Sequence, residues 1–402
     1  MVSKTASRTG VTPAKGVGPG SEDDVKRTQN KILPSKLMLK IFSYLSHQDV
    51  LNCTRVCQKW RNIAYDSNNW QVVNLRPEHG GLKVRRPDVL ASLISVRFAP
   101  FLRWIELPMD LITTTILHEL ANKAQKLQYL TLDFSGAVQL ADFGDLIAFP
   151  SHLKYLCLCL SEVIFLESFI RRVYKFIGSL QTLHIIGTVE NILVDSQEEE
   201  EAHEVINIHR LVGNVTNLTT INFFGVTFLK DEHIESVSTN CPYIRSLGAV
   251  YCNKITGSCL TPLFKRCKRL RCLLLEQCRL DSDAVLNARW DSTQIEELNI
   301  TGTDISSDAI IYILTSLTNL RWLSAGYLEN FNDNVLAAWY ESGNSARIEA
   351  LDLNFSDSLT TTSIESFILL MGPNLIGLNI AGFPEIQEAS CSNIIARLPR
   401  VK

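Results

Sequence analysis

A frame of the form L-x-x-L-x-L-x-x-[C/S/T], repeated down most of the chain, constrains its fold more than any other feature. Two clear copies are consecutive: CPYIRSLGAVYCNKITGSCLTPLFKR from Cys241 and CKRLRCLLLEQCRLDSDAVL from Cys267. Ile244 matches Leu270, Leu247 matches Leu273 and Cys252 matches Cys278. Carried outward, the first position falls at Leu102, Leu127, Leu153, Leu180, Leu218, Ile244, Leu270, Ile295, Leu320, Ile348 and Leu375. The ladder is almost even, with one long step from Leu180 to Leu218. The L-x-L alternation puts its leucines on one face of a short strand. Apolar-periodic stretches such as Asp308–Leu317 and Ser363–Met371 supply a helix after it. A unit this small cannot bury its own apolar face, so neighbours must stack and a solenoid follows.

The step falls in the roughly 20–29-residue period of leucine-rich repeats. The expected class is α/β, a curved solenoid with parallel strands on the concave face and helices on the convex face. A short residue recurs at the ninth position: Asp110, Ser135, Ser161, Thr188, Cys252, Cys278, Thr303 and Ser356. Such a side chain can satisfy turn backbone groups that would otherwise be buried unpaired. The cysteine versions resemble the cysteine-containing class of leucine-rich repeats and are read as core thiols.

Positions 1, 4 and 6 of the frame face inward, so positions 3, 5 and 7 line the concave surface. They carry Trp104, Tyr129, Tyr155, His184, Phe224 and Trp322, with Tyr251 and Tyr327 one step beyond. The same positions carry Glu106, Asp133, Glu276, Glu297 and Asp352, and no lysine or arginine at all. Such a wall suits a target segment with arginine or lysine, held by charge pairing and cation–π contact. The alternative is that the rings simply pack on one another as ladder neighbours.

Ahead of the ladder, Leu33–Trp70 reads as three short helices. Pro34 suits a first turn. Leu37, Ile41 and Leu45 form one stripe and Met38 and Phe42 a second, so the first helix is apolar over more than one face. Ser46 and Asp49 have capping-box spacing and open a second helix through Val50, Leu51 and Val56, while Trp60, Ile63 and Ala64 continue a third. A trio this small leaves surplus apolar surface for another protein.

These residues also resemble the F-box. Leu33-Pro34, Leu37, Ile41-Phe42, Leu45, Asp49-Val50, Val56-Cys57, Trp60-Arg61 and Trp70 fall where that motif has its Leu-Pro, Ile-Phe, Asp-Leu and Val-Cys-x-x-Trp. Ser35-Lys36 replaces a common acidic position, and Val50 stands for leucine. The resemblance implies binding of a Skp-family adaptor through Leu33, Pro34, Leu37, Ile41, Phe42, Leu45, Val50, Val56 and Trp60, and through it a cullin and a RING protein. It implies a non-catalytic substrate receptor of a ubiquitin ligase, and the concave frame positions make Trp104, Glu106, Tyr129, Asp133, Tyr155, Phe224, Glu276, Glu297, Trp322 and Asp352 the candidate target contacts. A repeat scaffold acting outside a cullin ligase is the alternative.

The expected organisation is a disordered, Gly/Pro-rich tail over 1–30, an F-box over 31–69, and a degenerate first repeat or linker over 70–101. The solenoid then occupies 102–402, with a solvated acidic insertion at about 195–204. Near the end, residues 386–398 read as a helix with the opening of another strand after it, so a solenoid without a polar-faced cap is expected. A net charge of −3 gives no global pull toward nucleic acid or anionic membrane, and no apolar run is long enough for a membrane helix. The eleven cysteines have no C-x-x-C pair and no zinc spacing with nearby histidines. No phosphate-binding loop, G-x-S-x-G or H-E-x-x-H is present, and His184, His203, His209 and His233 share no ligand spacing. No catalytic residue, metal or cofactor is expected, and the cytoplasm or nucleus is the expected location.

Overall fold

The computed structural model describes residues 33–161, 163–188, 203–383, 392, 394–396 and 398–401. The expected tail, residues 195–202 of the acidic insertion and most of the stretch 386–398 lie outside the described residues. The chain divides into two units, one ending at Asn69 and one starting at Trp70.

In the first unit, α1 (Ser35–Phe42), α2 (His47–Cys53) and α3 (Gln58–Ala64) pack around Met38, Phe42, Val50, Ile63 and Ala64. Pro34 sits just ahead of α1 in extended backbone. Ser46 caps α2 by accepting the Asp49 N–H at 3.1 Å, and its hydroxyl donates to the Asp49 carboxylate at 2.7 Å. The Trp60 ring meets the buried Phe42 ring edge-on at 5.5 Å.

The described residues of the second unit form a twelve-stranded parallel sheet whose strand order follows the sequence. Its strands are β1 (Val72–Asn74), β2 (Trp104–Pro108), β3 (Tyr129–Asp133), β4 (Tyr155–Cys159), β5 (Thr182–Ile186) and β6 (Thr220–Phe224). They continue with β7 (Ser246–Val250), β8 (Cys272–Leu274), β9 (Glu297–Asn299), β10 (Trp322–Ser324), β11 (Ala350–Asp352) and β12 (Gly377–Asn379). The register aligns equivalent repeat positions, so Ile105, Leu130, Leu156, Leu183 and Ile221 form one buried apolar row. Helices return the chain between strands: α4 (Pro87–Leu93), α5 (Thr114–Lys123), α6 (Glu167–Val173), α7 (Ile208–Asn214) and α8 (Asp231–Asn240). Beyond them come α9 (Leu260–Arg266), α10 (Ser282–Asn287), α11 (Ser307–Ser316), α12 (Asp333–Glu341) and α13 (Thr361–Met371). The result is a curved α/β solenoid of leucine-rich repeats.

One connection departs from the frame. Between β3 and β4 no α-helix forms, because Gly136, Gly144 and Pro150 interrupt the stretch. Rings fill the helix's place instead: Phe134, Phe143 and Phe149 each pack on Phe169 of α6, the closest at 4.6 Å between centroids.

In several repeats the ninth-position side chain does bond to a backbone carbonyl. The Ser161 hydroxyl donates to the Ala137 carbonyl at 2.9 Å, that of Thr303 to Ile300 at 2.8 Å, and the Cys278 thiol to Ala249 at 2.8 Å. Burial pushes the Cys252 thiol up to about 12, so it stays protonated. The eighth position has its own rule. It takes positive φ in seven successive repeats, at Gly225, Tyr251, Gln277, Gly302, Tyr327, Phe355 and Gly382. A left-handed residue there turns the chain out of the strand, and four of the seven bear side chains that project from this ledge.

Side chains also tie repeats together. Asp231, in the first turn of α8, accepts the backbone N–H groups of Thr256, Gly257 and Cys259 and the Thr256 hydroxyl, all at 2.8–3.0 Å. Burial would raise its pKa, but these bonds hold it below the usual carboxylate value. Asp333 binds the Thr360 N–H and hydroxyl in the same way. Glu204, the end of the expected acidic insertion, is not merely solvated: its Oε1 lies 3.1 Å from Nε2 of the buried His233.

Candidate functional site

The first candidate surface lies on the helical trio. Because α1 is apolar on two stripes, only one can turn inward. Met38 and Phe42 are buried, while Leu37 and Ile41 are 52% and 46% exposed. Leu33, Pro34, Leu45 and Val56 are exposed too, as is Tyr44, which the sequence stripes did not single out. The nine expected adaptor contacts therefore split. Leu33, Pro34, Leu37, Ile41, Leu45 and Val56 are accessible, Trp60 is half-buried, and Phe42 and Val50 hold the trio together.

The second surface is the strand face of the solenoid. Trp104, Tyr129 and Tyr155 occupy equivalent register positions on β2, β3 and β4, and their rings lie 5.4 and 5.7 Å apart in sequence order. His184 on β5 adds a ring 5.0 Å from Tyr155, and burial lowers its pKa. The rings of this half thus pack as ladder neighbours. Phe224 meets Tyr251 at 5.5 Å, and Tyr327 stacks on Phe355 at 4.8 Å. Trp322, on β10, is separated from the ring group that ends at His184 by four intervening strands, β6 through β9. The expected aromatic wall thus falls into three ring clusters, with Trp322 standing apart from the first of them.

The acids divide as well. Arg76 continues β1 at the position equivalent to Pro108, and its side chain lies among the concave residues. Its Nε donates to Asp133 Oδ2 at 2.6 Å and its Nη1 to Glu106 Oε2 at 3.3 Å. The expectation of acids with no base among them is therefore corrected at this end, where the first repeat, too degenerate to show its frame in sequence, contributes the base. Asp133 also accepts the Ser135 hydroxyl at 2.6 Å.

At the other end the carboxylates have neutral partners. Asn299 Nδ2 donates to Glu276 Oε2 at 3.0 Å, and Ser324 Oγ and the Asn354 N–H donate to Asp352 at 3.3 and 3.1 Å. Glu297 stands beside Trp322 in register. Tyr251, Glu276, Gln277, Thr301, Ser324, Tyr327, Asp352 and Asn354 line a pocket of about 330 Å³.

His209, Glu232 and His233 have potential ligand atoms within 4.8 Å of one another. His233 Nδ1 accepts the Lys230 N–H at 2.9 Å, which leaves the proton on Nε2, facing Glu204. Nδ1 thus caps the start of α8 while Nε2 holds Glu204, so both ring nitrogens of His233 already have protein partners. Among the described residues no helix is long and apolar enough to cross a membrane.

A sequence profile of the family described as F-box-like matches residues 31–76. An F-box protein of Saccharomyces cerevisiae is 54% identical over 39 residues, 10% of this chain and 6% of that protein. F-box/SPRY domain-containing protein 1 of Danio rerio is 37% identical over 65 residues, 16% of this chain and 22% of that protein. The match thus spans less than a quarter of either relative. Among solved structures, the yeast Rad7 and Elc1 complex aligns over 96% of this chain and 92% of that chain, with TM-score 0.44 and 15% identity. At that score the solenoid rests on the strand register itself. An F-box-like domain is matched over residues 31–76, and the strand register from β1 to β12 makes the described residues of the second unit a leucine-rich-repeat solenoid.

Proposed function

We propose that this chain is the substrate-recognition subunit of a Skp-cullin-F-box ubiquitin ligase. Its F-box-like domain would bind the Skp-family adaptor, and through it the cullin and RING proteins, while the strand face of the solenoid holds the protein to be ubiquitinated. The observation that carries this reading is the apolar row Leu33, Leu37, Ile41, Leu45 and Val56, each more than a third exposed within the F-box-like match. Apolar side chains displayed together on so small a domain need a partner to cover them. The subunit's role is to position a target, so no residue of the chain is assigned a catalytic step.

Co-purification tests the reading. Full-length chain should bring down adaptor and cullin, and replacing Leu33 and Pro34 by alanine should remove both while leaving the melting temperature of the solenoid unchanged. Undiminished cullin in that variant would overturn it. Adaptor without cullin in the unaltered chain would point instead to a scaffold outside the ligase.

A further inference from the structure

The concave pocket at the C-terminal end of the sheet differs in one respect from the wall at the other end. There, two carboxylates on adjacent strands, Glu106 of β2 and Asp133 of β3, share the guanidinium of Arg76. Here, Glu276 and Asp352 have only neutral partners among the described residues. Thr301 and Ser324, joined at 3.1 Å, stand between them in sheet order. The residues lining the pocket include no base.

Its two tyrosines are held in place by backbone. Tyr251 and Tyr327 have φ of 55° and 52°, a conformation that L residues adopt only when the surroundings fix it. The Tyr251 N–H donates to the Glu276 carbonyl at 2.8 Å and the Tyr327 N–H to the Asn354 carbonyl at 2.9 Å. Phe224 backs the first ring and Phe355 the second. Two strained tyrosines thus bracket a pocket rich in acceptors and short of cations. Asn354 Oδ1 is buried without a hydrogen-bond partner beside it.

We propose that this pocket receives one arginine side chain of the target protein, between Tyr251 and Tyr327 and against Glu276 and Asp352. The proposal rests on reading the strand face as the target surface. A planar guanidinium with five donors matches separated carboxylate and hydroxyl acceptors, and it stacks on aromatic faces. A lysine ammonium is more strongly hydrated and offers three donors from one point, so it uses this lining less well.

The test uses full chain labelled with 3-fluorotyrosine and the probes acetyl-Gly-Arg-Gly-amide and its lysine and citrulline counterparts. Resonances are assigned by Tyr251→Phe and Tyr327→Phe. The arginine probe should shift both resonances saturably in the millimolar range, and citrulline, uncharged but of nearly the same shape, should not. The lysine probe should bind at least about fivefold more weakly, for want of the forked donors. Glu276→Gln with Asp352→Asn should weaken arginine binding by about tenfold or more, the worth of a charge-assisted hydrogen bond. Asp308→Asn, at the exposed start of α11 and outside the strand face, should leave it unchanged. Shifts that do not saturate, equal response to citrulline or lysine, or unchanged affinity in the double variant would each overturn the proposal. The probe comparison needs no substitution in the pocket, so a misfolded variant would not blunt it. Adaptor and cullin do not enter the measurement, so failure here is distinct from failure of the ligase reading.

Discussion

Arg76 Nε donates to Asp133 Oδ2 at 2.6 Å, reaching from the end of β1 past β2 to the end of β3. The same side chain takes Glu106 on the strand between. All three side chains are less than a fifth exposed, so solvent screens this cluster little.

Arg76→Ala should therefore destabilise the solenoid by about 2–3 kcal/mol, because two part-buried carboxylates lose their counter-charge. Adding Glu106→Gln and Asp133→Asn should recover part of that loss. Urea unfolding of the three proteins measures it. An arginine merely lying on the surface would give less than about 1 kcal/mol and no recovery.

Ile41 and Phe42 are neighbours with opposite roles, one exposed and the other 2% exposed. Phe42→Ala should cost the helical trio about 3–5 kcal/mol through lost burial and a cavity. Ile41→Ser should leave the trio's circular dichroism intact and abolish adaptor capture. Equal loss of helix signal in both variants would contradict this division.

Two glycines give a contrast in backbone space. A Cβ on Gly187 would collide with the carbonyl of Gly225 on the next repeat, and that backbone is tied down by the bond from the Gly225 N–H to the Val250 carbonyl at 2.9 Å. Gly187→Ala should cost about 2–3 kcal/mol. Gly213, inside α7, has only the Asn240 side chain near, at 4.0 Å. Gly213→Ala should be neutral or stabilising by up to about 1 kcal/mol, on helix propensity alone. Thermal midpoints of the pair decide it.

His233 sets a pH dependence. Burial lowers its pKa, against the pull of Glu204. The unfolded chain then binds more protons than the folded one just below the ordinary imidazole value of about 6.5, so stability falls as pH drops through that range. His184 is shifted in the same direction by burial and adds to the slope. His233→Asn keeps an acceptor for the Lys230 N–H but cannot titrate, so its melting temperature should fall less between pH 7 and 5.5 than that of the unaltered chain. Parallel slopes would remove His233 as a cause.

The sequence by itself determined the repeat frame, the inward rows and the F-box-like stripes, because each depends on spacing within one short element. Position 4 side chains are buried from Ile105 of β2 to Leu351 of β11, since strand alternation turns them to the inner face, and only Leu378 of β12, at the last strand of the sheet, is half-buried. Which apolar stripe of α1 turns inward was not determined locally: both Phe42 and Ile41 fit a helix, and only packing against Trp60 and its neighbours chose Phe42. Nor could spacing reveal Arg76 as the partner of Asp133, 57 residues away, because the first repeat departs from the frame and its register appears only when β1 pairs with β2. The left-handed turn at Tyr251 and Tyr327 is likewise a tertiary decision. These residues have no intrinsic preference for positive φ, and the inter-strand bonds to Glu276 and Asn354 hold them there. Periodicity fixes faces, while pairing between repeats depends on register, and register is a property of the assembled sheet.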